Sequence, residues 1–122
     1  MLNEMVIEKK NIVLDKSFQL ALKVIKLSAT LEKTNQILAN QILRSGTSVG
    51  ANLNEAQAAL TKKEFIAKVA IAAKEIRETK YWLMLLIESN LIKRDEEIEI
   101  LVDDIIKIVT KIIKTSQENN LA

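Results

Sequence analysis

The chain contains no proline and only two glycines, Gly46 and Gly50, four residues apart. Proline and glycine are the strongest helix breakers, so this chain of 122 residues has almost nothing to interrupt a helix with. Both glycines lie in Arg44-Ser45-Gly46-Thr47-Ser48-Val49-Gly50-Ala51-Asn52-Leu53-Asn54-Glu55-Ala56. Each costs about 0.8–1 kcal/mol relative to alanine in a helix interior, so the pair costs about 2 kcal/mol if the helix runs on. β-Branched Thr47 and Val49 add a little more. Local propensity alone reads Ser45 to Asn52 as a loop. Periodicity reads it differently: Leu38, Ile42, Ser45, Val49, Leu53 and Ala56 recur at a 4-3-4-4-3 spacing. That seam predicts one helix carried through both glycines, over about 36–59.

Three further helices follow from patterns and caps. Ser17, with Asp15 as a competitor, is the expected N-cap of a first helix over about 17–32. It bears two apolar stripes, Phe18, Leu22, Ile25 and Ala29 on one side and Leu20, Val24, Leu27 and Leu31 on the other. Thr34 or Asn35 offers the next cap. Thr61 followed by Glu64 is a capping box that opens a third helix over 62–90, where Ser89-Asn90 supplies the stop. Phe65, Val69, Ala72, Ile76, Leu83 and Ile87 are its expected core face, and Ile66, Ala70, Ala73, Arg77, Tyr81 and Met84 a second face. The fourth helix, about 95–116, carries Asp95, Glu96, Glu97 and Glu99 at its start and Lys107, Lys111 and Lys114 further on, the polarity the helix dipole favours. Ile98, Leu101, Val102, Ile105, Val109 and Ile112 should face inward, and the tail from Gln117 onward should fray. Short connections make neighbours antiparallel, so residues 1–122 are read as one all-α domain, an up-down-up-down four-helix bundle.

Composition bounds the chemistry. With no cysteine and no histidine, thiol catalysis, histidine acid–base chemistry and the common zinc, haem and iron–sulfur sites are excluded. No catalytic residue, metal site or cofactor is assigned. The longest apolar run, Tyr81 to Ile87, is far short of the ~20 residues that span a bilayer, and the start of the chain has no signal-peptide core. A cytoplasmic protein that does not enter membranes is expected. The net charge of +2 is only mildly basic. Aromatics are 3% of residues, so the core must be aliphatic.

Two features bear on partners. A bundle helix needs about three apolar positions in seven, and the first, third and fourth helices exceed this. The surplus predicts burial between subunits. Arg44, Ser48, Asn52 and Glu55 form a polar stripe on the second helix, in which Arg44 and Glu55 are too far apart to pair. Each needs a partner on another helix, another subunit or a ligand. Gly46 and Gly50 form a neighbouring stripe of minimal bulk, where a second backbone can approach and short side chains such as Ser45 can bond across. Without a preceding strand or a Gly-Lys-Ser/Thr ending, this is not a phosphate loop.

The segment Arg44–Ala56 is followed by Lys62-Lys63-Glu64-Phe65-Ile66-Ala67-Lys68 and Lys74-Glu75-Ile76-Arg77-Glu78-Thr79-Lys80-Tyr81-Trp82-Leu83. Together with Asp15-Lys16-Ser17-Phe18, these segments resemble the bacterial four helix bundle protein family, also called the 23S ribosomal RNA intervening-sequence protein family. The resemblance covers roughly residues 12–116, in the branch with glycine rather than proline in the signature. It implies a small cytoplasmic all-α protein without enzymatic activity that assembles as a ring-like homopentamer. It also implies likeness to accessory proteins of diversity-generating retroelements, which bind nucleic acid and a reverse transcriptase. Some relatives are encoded within insertions in 23S rRNA genes.

Two functional expectations stand side by side. One is an oligomeric scaffold or adaptor, with Arg44, Ser45, Gly46, Ser48, Gly50, Asn52 and Glu55 as signature and packing residues. The other is an RNA-binding protein contacting phosphates through Lys62, Lys63, Lys74, Arg77 and Lys80, with Tyr81 and Trp82 read as core rather than as stacking platforms.

Overall fold

A computed structural model describes residues 4–121. Four α-helices follow one another: α1 (Glu4–Leu31), α2 (Gln36–Gln57), α3 (Lys62–Glu88) and α4 (Glu96–Leu121), with no strand among the described residues. α2 packs on α1 and α3, and α4 packs on α3 and α1, while among the described residues the backbones of the diagonal pairs stay apart. This is a square, antiparallel, up-down-up-down bundle.

The helix ends follow side-chain chemistry. Asn35 caps α2, its side chain accepting a hydrogen bond from the Leu38 amide at 3.0 Å. At α3 the Thr61 hydroxyl accepts from the Glu64 amide at 3.0 Å, and the Glu64 carboxylate accepts from the Leu60 amide at 3.1 Å, one residue before the cap. Asn90 takes the left-handed conformation (φ 61°) that ends α3. The Asp95 carboxylate accepts from the Ile98 amide at 3.2 Å and opens α4.

Two expected boundaries are corrected. Helix α1 does not begin at Ser17: it starts at Glu4, and Ser17 is fully buried in its middle. The Ser17 hydroxyl donates to the Leu14 carbonyl at 3.0 Å, a back-bond that satisfies serine inside a helix. Asp15 is likewise within the helix, its carboxylate accepting from Gln19 at 2.8 Å. At the other end α4 continues past residue 116 to Leu121 rather than fraying at Gln117.

The core is aliphatic. Leu20, Val24 and Leu31 of α1, Ile42, Val49 and Leu53 of α2, Phe65, Ile76 and Leu83 of α3, and Ile98, Ile105 and Ile112 of α4 are buried. The other apolar stripe of α1 is not buried: Phe18 is 64% exposed, and Leu22 and Ile25 are each 48% exposed.

Candidate functional site

The glycine pair lies where α1 and α2 touch. Both glycines are buried, and neither has positive φ, so the helix passes through them without a break. A Cβ at Gly46 would stand 2.8 Å from Val24 Cγ1 and 2.9 Å from Cγ2. At Gly50 it would stand 3.3 Å from Ser17 Oγ. The requirement for glycine is therefore space rather than backbone conformation.

The polar stripe beside it turns the other way, toward α3. The Arg44 guanidinium donates to Glu75 at 3.2 Å, pairs with Glu78 and reaches Gln41 at 3.3 Å. Glu78 also accepts from Trp82 Nε1 at 3.0 Å, so one carboxylate ties arginine and indole together. Glu55 pairs with Lys68 at 2.9 Å. Asn52 donates to the Ser48 carbonyl at 2.9 Å. Ser45 is buried against Thr79 of α3, with 3.0 Å between the hydroxyl oxygens, and Thr79 also donates to the Glu75 carbonyl at 2.8 Å. The charges of the signature are met inside the chain, across the α2–α3 seam.

The cations separate into paired and unpaired groups. Lys80 is bonded to Asp103 at 2.9 Å across the α3–α4 seam. Lys62, Lys63, Lys74 and Arg77 form no ion pair with a described residue, nor do Lys107, Lys111 and Lys114 of α4. Because α3 and α4 are antiparallel, Arg77 comes beside Lys107. The two line a shallow groove with Lys80, Tyr81, Asp103 and Ile106. Lys62 and Lys63, at the start of α3, lie outside this groove. The sequence offers Lys107 only as one of the basic residues of the fourth helix; what places it beside Arg77 is helix adjacency, which a pattern along one helix does not contain.

The aromatic expectation is corrected for Tyr81. It is 58% exposed at the groove, edge-on to half-buried Trp82 with ring centroids 5.2 Å apart. Tyr81 sits at the outer position of α3, so the bundle core cannot cover it. At the α1–α4 seam, the hydrogen bond between Lys23 and Glu97 raises the lysine pKa above its ordinary value and lowers that of the carboxyl. Among the described residues, no three His, Cys, Asp or Glu side chains come together as a metal site. No helix formed by them is long and apolar enough to cross a membrane.

These features define a small all-α protein: an aliphatic four-helix bundle whose signature polar residues cross-link two of its helices. The sequence model of the 23S rRNA-intervening sequence protein family matches residues 9–114, and the chain belongs to that family. It is also similar to a solved structure, a protein of unknown function from the S23 ribosomal protein family of Bacteroides thetaiotaomicron VPI-5482. The two are 43% identical with a TM-score of 0.76, the match covering 84% of this chain and 98% of the other. No curated protein matches the chain.

Proposed function

We propose that this protein is a cytoplasmic, non-enzymatic scaffold that works as a homo-oligomer, with the five-membered ring expected from its family resemblance. The observation that carries this reading is the apolar surface left outside the core, led by Phe18, Leu22 and Ile25 on α1 and by Met84 and Ile100 on the far side of the bundle. Apolar side chains left exposed on several helices suit surfaces that bind other protein. The non-enzymatic part is supported by the pairing of the signature charges, since Arg44 and Glu55 are both held in ion pairs with α3. Light-scattering mass in solution tests the reading. A discrete multiple of the 13.7 kDa chain is expected, and a monodisperse monomer would overturn it.

A second reading, RNA binding, is favoured by the unpaired cations that α3 and α4 present around exposed Tyr81. Titration of structured RNA at low salt tests it.

A further inference from the structure

We propose that the α3–α4 groove is a binding site for a nucleoside 5′-monophosphate, with the base stacked on Tyr81 and the phosphate held between Arg77 and Lys107. This goes beyond the RNA reading. Attraction of RNA needs only cations spread along a face, whereas this site needs a ring and a charge excess in one place.

The first observation is the charge of the groove. Its lining sets Arg77, Lys80 and Lys107 against a single carboxylate, Asp103, an excess of two positive charges. Asp103 is already met by Lys80 at 2.9 Å. Arg77 and Lys107 form no ion pair with a described residue, and they stand on facing helices with open groove between them. A phosphate monoester carries about −1.5 to −2 charges near neutral pH, which matches that excess. An internal phosphodiester carries a single charge and leaves part of it unmet. Arginine offers a planar fork to two phosphate oxygens, and lysine adds a mobile point charge from the other wall.

The second observation is the ring. Tyr81 follows Arg77 at i+4 on α3, a spacing that puts the Cβ atoms about 5–6 Å apart on one face. That separation suits the span from a base across its sugar to its own phosphate. Tyr81 is 58% exposed and meets Trp82 edge to face, with 64° between the ring planes. Such a contact covers one face of one ring at most, so Tyr81 keeps a face open for stacking. Trp82 is itself fixed by its bond to Glu78 at 3.0 Å, which backs the tyrosine with a held ring. Half-buried Ile106 adds apolar surface on the α4 wall. The groove holds about 620 Å³, within the size range of small-molecule sites. Bare phosphate would use the charge without the ring, and a nucleoside the ring without the charge. A nucleoside phosphate uses both.

The test is calorimetric titration of the full-length protein with AMP at about 50 mM salt, where screening of the phosphate contacts is modest. Emission from Trp82, the chain's only tryptophan, supplies a second readout beside the stacking ring. AMP should bind with a Kd of about 1 mM or below. Adenosine and inorganic phosphate should each bind about tenfold more weakly or worse. Tyr81→Ala, Arg77→Ala and Lys107→Ala should each weaken AMP binding about tenfold, and Tyr81→Phe should retain it. Lys16→Ala, on the α1–α4 seam, should leave it unchanged. Circular dichroism verifies each fold; if Tyr81→Ala loses its helical signal, Tyr81→Leu removes the ring in its place. No binding of AMP at millimolar concentration, or equal affinity with and without the tyrosine ring, would overturn the site. Structured RNA that still binds in that case keeps the RNA reading, and loss of RNA binding alone leaves the nucleotide site standing. A short oligoadenylate with and without a 5′-phosphate then distinguishes the source of the ligand. Preference for the phosphorylated strand assigns the site to a strand end, and AMP binding without that preference assigns it to the free nucleotide.

Discussion

At the residue scale, two glycines four positions apart are not equivalent. Alanine at either position recovers about 0.8–1 kcal/mol of helix propensity. At Gly46 the new methyl meets Val24 Cγ1 at 2.8 Å. Val24 is fully buried, and a valine in a helix is held in one χ1 well, so it has nowhere to turn. Overpacking of this kind costs about 1–3 kcal/mol and outweighs the propensity gain. At Gly50 the nearest atom is Ser17 Oγ at 3.3 Å, so the serine need give by only a few tenths of an ångström. We expect Gly46→Ala to lower stability by about 1 kcal/mol and Gly50→Ala to leave it unchanged or raise it by up to about 0.5 kcal/mol, in urea denaturation at one protein concentration. In a Val24→Ala background Gly46→Ala should become stabilising. Equal effects at the two glycines would contradict the close approach at Val24. The sequence carried the spacing but not this asymmetry, because it does not say which α1 side chain stands opposite each glycine.

At the element scale, the legible boundaries were those set locally, by a side chain bonding its own helix end or, at Asn90, by a residue that tolerates the left-handed backbone. Asn35, Thr61, Asn90 and Asp95 act locally, so their chemistry can be read from the residues beside them. Ser17 misled because serine has two local solutions, a cap or a back-bond, and only burial distinguishes them. The deciding signal was present: Val13, Ser17, Leu20 and Val24 continue the core stripe at a 4-3-4 spacing, and all four are buried. The four-helix fold was legible from such stripes. The partners of Arg44 and Glu55 were not, because adjacency between helices is not written along either one. The exposed Lys23–Glu97 pair shows what such adjacency does to titration. Glu97, with its pKa lowered on folding, contributes stability above its unfolded pKa and loses it as pH falls through the folded value. Lys23, with its pKa raised, contributes below its unfolded pKa and loses it as pH rises through the folded value. The pair thus acts between the carboxylate and lysine ranges. We expect Glu97→Gln to lower the thermal midpoint slightly at neutral pH and at low salt, with the difference vanishing in acid. A difference that persists below the carboxylate range would assign the effect to packing instead.

At the scale of the whole molecule, a net charge of +2 conceals segregation. Lys63, Lys74, Lys107, Lys111 and Lys114 lie along α3 and α4 and form no ion pair with a described residue, whereas the α3–α4 turn mixes Glu88, Asp95, Glu96 and Glu97 with Lys93 and Arg94. A polyanion on this face would meet the unpaired cations of α3 and α4. Phosphate contacts release counterions, and for single strands the logarithm of the affinity falls with the logarithm of salt at a slope of about −0.7 per neutralised phosphate. The division into paired and unpaired cations then gives a ranked expectation. Lys107→Ala and Lys111→Ala should each weaken binding of structured RNA and flatten the salt slope by about 1. Lys16, whose charge is already met by Asp104 on a different seam, should change neither when replaced by alanine. Lys80→Ala should fall between them, because it removes a charge from the groove but frees Asp103 beside it. Fluorescence anisotropy across a salt series measures all four. Equal effects at Lys16 and Lys107 would mean that the protein attracts RNA by bulk charge and has no binding face. No binding by micromolar protein at about 50 mM salt would retire RNA as a partner, because screening only weakens such contacts as salt rises.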